Sequence, residues 1–385
     1  MDFDLVIVGA GLAGASLAAA LQGSRYRIAV VEGRAPAAAS DGWDTRIYAI
    51  SPANVAFLRE IGVWGHLDAS RLAPVFDMEV HGDRHARLDF SAYAAGVAEL
   101  AWIAESGQIQ RELWERIRRQ ANVRLLCPAR PESLEIGAGS AELRLADGER
   151  ISARLVVAAD GVDSWVRSRA GIAADVRPYG ELGVVANFGC ERPHRNTAFQ
   201  WFREDGVLAY LPLPGEAISI VWSAPEARAR ELLGLPPEVL AETVAAAGQH
   251  RLGGLRLLNG AAGFPLRLMR PARTVGHRVA LIGDAAHAIH PLSGHGINLG
   301  FQDARVLAQT LGTLPEYRDC GAEPELRPYE RARAEEVLAL QTATHALNRL
   351  FRPDFAPLAW LRNLGLNLTN HLPVVRDMLV RYALG

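Results

Sequence analysis

The apolar run Leu5-Val6-Ile7-Val8 leads straight into Gly9-Ala10-Gly11-Leu12-Ala13-Gly14, and an Ala-rich, Leu-spaced stretch at 15–21 follows. A second apolar, β-branched run, Ile28-Ala29-Val30-Val31, ends on Glu32. The pattern predicts strand, glycine turn, helix and strand, closed by an acid about 20 residues beyond the first glycine, as in a dinucleotide-binding βαβ unit. Each glycine has its own task. Gly9 permits the tight turn, Gly11 lets backbone approach a pyrophosphate, and Gly14 lets helix and strand pack closely. The helix N-terminus offers free N–H groups and a positive dipole end to phosphate. Glu32 would accept from a ribose 2′-OH and repel a 2′-phosphate, so FAD or NAD fits.

Further along, Arg154-Leu155-Val156-Val157-Ala158-Ala159 reads as a buried strand ending in Asp160-Gly161, and Arg278-Val279-Ala280-Leu281-Ile282 as another ending in Gly283-Asp284. Between them, runs such as Gly183-Val184-Val185-Ala186 and Ile218-Ser219-Ile220-Val221-Trp222, separated by turns such as Pro212-Leu213-Pro214-Gly215, predict an antiparallel sheet; 76–90 is expected to join it. A helical pattern starts near Leu299, and from about Pro328 onward the chain reads mainly helical, broken at Pro353, Pro357 and Pro373. The expected class is α/β. A discontinuous Rossmann-like nucleotide-binding domain takes 1–75, 96–180 and 270–325, a β-rich substrate domain takes 76–95 and 181–269, and a helical region takes 326–385.

Composition narrows the chemistry. At 49% hydrophobic and 22% charged over 385 residues, the chain is globular and long enough for more than one domain. The net charge of −2 supplies no basic field for nucleic acid. No apolar stretch is long enough to span a membrane. Asp2 and Asp4 stand where a signal peptide would be positive, so a cytoplasmic protein is expected. Three scattered cysteines suit neither a disulfide framework nor a thiolate zinc site. All 41 basic residues are arginine, which excludes Schiff-base lysine chemistry and a P-loop. His287, His290 and His295 match no zinc spacing, and no metal is expected.

Strand ends at Gly9, Asp160 and Asp284 should converge on one crevice. Asp284 there can accept from the polyol linker of FAD. The Pro291-Leu292-Ser293-Gly294-His295-Gly296 turn would then aim the N–H groups of the next helix, near Ile297 and Asn298, at the flavin edge that gains negative charge on reduction.

These motifs, with Ala159-Asp160-Gly161-Val162-Asp163-Ser164-Trp165-Val166-Arg167 and Gly283-Asp284-Ala285-Ala286-His287, resemble the group A FAD-dependent aromatic monooxygenases. Asp44-Thr45-Arg46-Ile47-Tyr48-Ala49-Ile50-Ser51 and the tail Leu361-Arg362-Asn363-Leu364-Gly365-Leu366 resemble more closely the ubiquinone-biosynthesis hydroxylases. The resemblance implies a para-hydroxybenzoate-hydroxylase-like fold. NAD(P)H would reduce FAD, O2 would add to give a C4a-hydroperoxide, and that species would hydroxylate a lipophilic polyprenyl phenol. It also implies roles for residues. Gly9, Gly11, Gly14 and Glu32 bind the ADP half, and Arg46 and Arg111 reach toward the cofactor. Asp160 serves flavin positioning and nicotinamide access, Asp284 holds the ribityl chain, and Pro291, Gly294, Gly296, Ile297 and Asn298 border the ring. Where the family usually has Gly-Gln-Gly, this chain has Gly294-His295-Gly296. His295 is thus the candidate catalytic residue, tuning the flavin or assisting phenol deprotonation, beside the simpler reading that it replaces a glutamine hydrogen bond. A hydroxylase of a small soluble aromatic, an NAD-dependent dehydrogenase and a non-catalytic flavoprotein-like scaffold are the alternatives. The dehydrogenase leaves Gly283-Asp284 without a task. Five arginines against two aspartates among apolar residues at 345–385 suggest either a packed helical subdomain or a contact with the inner face of the bacterial membrane or with a biosynthetic complex.

Overall fold

The computed structural model describes residues 1–82, 87–290 and 296–350. Its first sheet has eight strands on a parallel spine, in the spatial order Val279–Leu281, Arg150–Ala158, Phe3–Val8, Ile28–Val31 and Val123–Leu126. The first four contain the apolar runs of the sequence, buried because a parallel sheet is covered on both faces, whereas the edge strand Val123–Leu126 is only partly buried. Helices Leu12–Ala20, Ser106–Arg118 and Gly296–Gly312 contribute to the core over one face. An antiparallel extension, Ala141–Leu145 and Pro131–Ile136, runs off Arg150–Ala158.

The second sheet also has eight strands. Its order is Leu255–Leu257, Ala174–Cys190, Ala217–Pro225, Gly206–Leu213, Thr197–Arg203, Asp77–His81 and Arg87–Ser91, with Ala262–Pro271 also paired to Ala174–Cys190. Period-two alternation divides its faces. Val184, Leu208, Tyr210, Ile220 and Trp222 pack in a core with helices Glu226–Gly234 and Pro237–Ala247. Val185, Val207, Ala209, Leu211 and Val221 face a cavity. A small third sheet, Ile47–Ile50, Ala101–Glu105 and Ala73–Val75, contributes to that cavity as well.

Several boundaries differ from expectation. Ala174–Cys190 is one 17-residue strand, so chain continuity runs straight across the division placed at 180/181. Its first residues pair with the end of Ala262–Pro271, which crosses the division placed at 270. The turn expected at 212–215 falls at 214–216. Pro212 and Leu213 stay in register with Ile218 and Ala217, and the chain reverses after them. The late helix starts earlier than Pro328, at Glu323, and carries Pro328 inside its first turns. Pro328 is the sixth helical residue, past the four free N–H groups, so it forgoes the bond an N–H there would make to the Pro324 carbonyl, and the helix runs on beyond it.

Candidate active site

The glycine loop behaves as its spacing requires. Gly9 has φ +102°, and a Cβ there would lie 2.3 Å from the Ala159 carbonyl oxygen. A Cβ on Gly14 would lie 2.0 Å from the Gly9 oxygen. Gly11 is different, since a Cβ there meets nothing within 4 Å. It is the N-cap of Leu12–Ala20 and makes no side-chain cap, so the first N–H groups of that helix stay available to a ligand. Glu32 closes the loop by accepting from Ala10 N–H at 2.8 Å and Arg34 N–H at 3.1 Å. Gln110, on helix Ser106–Arg118, donates to the Ala10 carbonyl and fixes the far side of the loop.

Asp44 organises the two expected arginines. It accepts from Arg46 N–H at 3.0 Å and from Gly107 N–H at 2.7 Å, and a Cβ on Gly107 would lie 3.1 Å from the Arg111 guanidinium. One carboxylate thus holds the Arg46 backbone and the start of helix Ser106–Arg118, with the Arg111 guanidinium beside Gly107.

The Gly283–Asp284 turn abuts the glycine loop, because a Cβ on Gly283, itself at φ +59°, would lie 3.0 Å from the Ala13 methyl. Asp284 opens onto a cavity of about 620 Å³ that Arg46, Gly296, Ile297 and Asn298 also line. Protein atoms crowd the carboxyl even though it is reachable from the cavity. This burial raises its pKa, against the pull of His287 and Arg46. The cavity's opposite walls come from the second and third sheets, among them Val185, Phe199, Leu211, Val221 and Ile103.

Behind the turn lies a buried charge network that sequence reasoning missed. Asp303 accepts from Gly283 N–H at 2.9 Å, from His287 Nε2 at 2.6 Å and from Arg333 Nε at 2.8 Å. All three side chains are buried. Burial opposes a charged His287, yet Asp303 outweighs it and holds the imidazole pKa above its ordinary value. Burial likewise opposes ionised Asp303, and His287 with Arg333 brings its pKa below the usual range.

The chain matches the family model described as FAD binding domain over residues 2–344. It belongs to that family. Within it the chain is 35% identical to ubiquinone hydroxylase UbiL of Rhodospirillum rubrum, covering 99% of this chain and 89% of that protein. It is 33% identical to the 3-demethoxyubiquinol 3-hydroxylase of Escherichia coli, covering 99% and 98%. Among solved structures, PqsL of Pseudomonas aeruginosa, a probable FAD-dependent monooxygenase, superposes with a TM-score of 0.79 at 26% identity, covering 94% of this chain and 99% of that one. The flavoprotein is thus an FAD-dependent monooxygenase of the ubiquinone-biosynthesis hydroxylase group, and its fold is the para-hydroxybenzoate-hydroxylase type.

The residues present fit FAD. The uncapped helix end and the open space above Gly11 suit a pyrophosphate, and Asp284 suits a polyol beside the cavity. Two expected contacts look different in the structure. Asp160 spends its carboxylate on its own turn, accepting from Ser164 Oγ–H at 2.5 Å and Val166 N–H at 3.0 Å. It shapes the loop that carries Val162 to the cavity. The Asn298 carboxamide accepts from Ser51 N–H at 2.9 Å and donates to the Ala49 carbonyl at 2.8 Å. It ties the helix start to the third sheet and lines the cavity from there. His287 and His290 part company, His287 to Asp303 and His290 to Glu181 at 2.9 Å. Among the described residues no cluster suits a metal ion. Pro291, Gly294 and His295, and the tail beyond 350, lie outside the described residues. Of the missed roles, those of Asp44 and His287 carried a signal, Asp44 in the Asp-Thr-Arg segment and His287 at the end of the Gly283–His287 motif.

Proposed function

We propose that this flavoprotein hydroxylates the aromatic ring of a polyprenylated phenol or quinol intermediate of ubiquinone biosynthesis. The step consumes O2, NAD(P)H and a proton, and it releases water and NAD(P)+. The observation that carries this reading is the cavity. It joins the Asp284 turn and the start of helix Gly296–Gly312 to an apolar sheet face, so a flat, greasy ring can lie against the cofactor with little water present. The names of the relatives from Rhodospirillum rubrum and Escherichia coli support the substrate class. When bound, FAD supplies the electron transfer from NAD(P)H and the activation of O2. The chain's own residues do the rest. Gly9, Gly11, Gly14 and Glu32 secure the ADP half, Arg46 and Arg111 reach toward the cofactor, and Asp284 accepts from the ribityl hydroxyls. The N–H groups at the start of helix Gly296–Gly312, which opens on Gly296, Ile297 and Asn298, stabilise negative charge on the reduced ring. The sheet wall excludes water.

No helix among the described residues is long and apolar enough to cross a membrane. A polyprenyl substrate still has to be met at a lipid surface or handed over within a complex. The arginine-rich, apolar segment at 345–385 has the composition for a peripheral contact with an anionic membrane. The test of function is to incubate FAD-loaded protein with NADH, O2 and a short-chain demethoxyquinol. One hydroxylated product per NADH consumed is expected. NADH oxidation that yields only hydrogen peroxide with every quinol tried would reject the reading.

A further inference from the structure

The sheet wall of the cavity is apolar except at a few positions, and one of these is chemically exposed in an unusual way. Gln200, on strand Thr197–Arg203, lines the cavity and is only 6% exposed, yet its carboxamide has no hydrogen-bond partner among the described residues. The register explains its neighbours. Gln200 pairs with Ala209, Ala209 with Val221, and Val221 with Val185, so the amide stands at the end of a row of small and branched apolar side chains on the cavity face. Across the strand on its other side it is in register with Val80. An amide placed this way is satisfied only by water or by a ligand within the cavity, and leaving it unsatisfied costs about 1–3 kcal/mol.

The charges of the cavity point the same way. Among its described lining residues the cations are Arg46 and Arg267. Arg46 lies on the cofactor side, close enough to Asp284 to pull against the burial that raises its pKa. Arg267, on the sheet side, makes a two-pronged ion pair with Asp163 at 2.7 and 3.1 Å. The sheet wall therefore offers a neutral amide, and no uncommitted cation, to whatever ring it faces.

We propose that Gln200 is the specificity-determining residue for the substrate ring, and that the ring it selects is neutral and oxygen-substituted, without a carboxylate. The Gln200 carbonyl oxygen accepts from a phenolic O–H, and its NH2 donates to a neighbouring hydroxyl or alkoxy oxygen. A ring carboxylate would need the bidentate cation that Asp163 already occupies. This inference rests on the proposed function and sharpens its substrate class.

The experiment titrates FAD-loaded protein with a 2-alkylphenol, the matching 3-alkyl-4-hydroxybenzoic acid as its carboxylate, and the matching alkylbenzene, following the change in flavin absorbance. Wild type should bind the phenol at least tenfold more tightly than either of the others. Gln200→Leu should lose about five- to tenfold in phenol affinity while its affinity for the alkylbenzene holds or improves. Gln200→Asn, which keeps the amide on a shorter stem and disturbs packing least, should lie between the two and serves if the leucine variant folds poorly by thermal melting. Full phenol affinity in Gln200→Leu or Gln200→Asn, or a carboxylate bound as tightly as the phenol, would overturn the assignment. Product analysis separates the two readings. Gln200-dependent phenol binding without hydroxylation of any quinol would sink the proposed function and leave Gln200 as the ring-recognition residue.

Discussion

At Gly11 and Gly9 two glycines two positions apart should fail in different ways. Gly11 has φ −63° as N-cap and open space around its missing Cβ. Gly11→Val is expected to fold with a melting temperature close to wild type but to purify colourless, since the branched side chain fills the pyrophosphate position. Gly9→Val meets the Ala159 carbonyl and a left-handed backbone, so it should be unstable with or without FAD. Absorbance at 450 nm and thermal melting distinguish the two; a yellow Gly11→Val protein would refute the phosphate site. Asp284→Ala removes a charge-assisted acceptor worth about 1.5–3 kcal/mol, or roughly tenfold to a hundredfold in FAD affinity, measurable by fluorescence titration. His287 gives a pH signature. Its folded pKa is raised, so its contribution is complete below the unfolded value of about 6.5 and fades as pH climbs through the folded one. The melting-temperature gap between wild type and His287→Gln should therefore be widest below about pH 6.5 and narrow as pH rises above it. A gap that stays constant across that range would mean His287 is neutral.

Elements meet at the Asp303 network. Helix Gly296–Gly312 supplies Asp303, helix Glu323–Leu350 supplies Arg333, and the Gly283–Asp284 turn supplies the N–H, so three elements distant in sequence share one carboxylate. Removing one partner of such a buried pair costs about 3–5 kcal/mol because the remaining charge stays desolvated. Arg333→Met should lower the melting temperature and also weaken FAD retention, although Arg333 lies behind the turn. Loss of stability with unchanged FAD affinity would show that the turn holds its shape without the helix. The strands of this network were readable as apolar runs and the helices from their spacing. The network itself was not, because Asp303 and Arg333 look like ordinary polar positions on two amphipathic helices until packing buries both.

On the scale of the whole molecule, turns that follow strands of the first sheet, with the start of helix Gly296–Gly312, face the second and third sheets across one cavity, and the chain crosses between the two large sheets several times. A substrate with a polyprenyl tail has to enter that cavity from a lipid phase. Liposome co-sedimentation of the intact protein should show binding that needs anionic lipid and is lost in the Arg362→Glu/Arg376→Glu double variant. Equal recovery of both proteins in the supernatant would leave hand-over within a complex as the route. The sequence by itself determined the glycine loop of the first βαβ unit, because the spacing of Gly9, Gly11, Gly14 and Glu32 is set within one strand–helix–strand stretch of chain. It determined the parallel strands too, since burial on both faces leaves a continuous apolar imprint. Only the tertiary structure decided which face of each antiparallel strand lines the cavity, that Asp160 and Asn298 spend their side chains on protein partners, and that Gln200 lies in a largely apolar wall. Those outcomes depend on strand register and on contacts between residues far apart in sequence, and a one-residue slip in register would turn Gln200 to the opposite face.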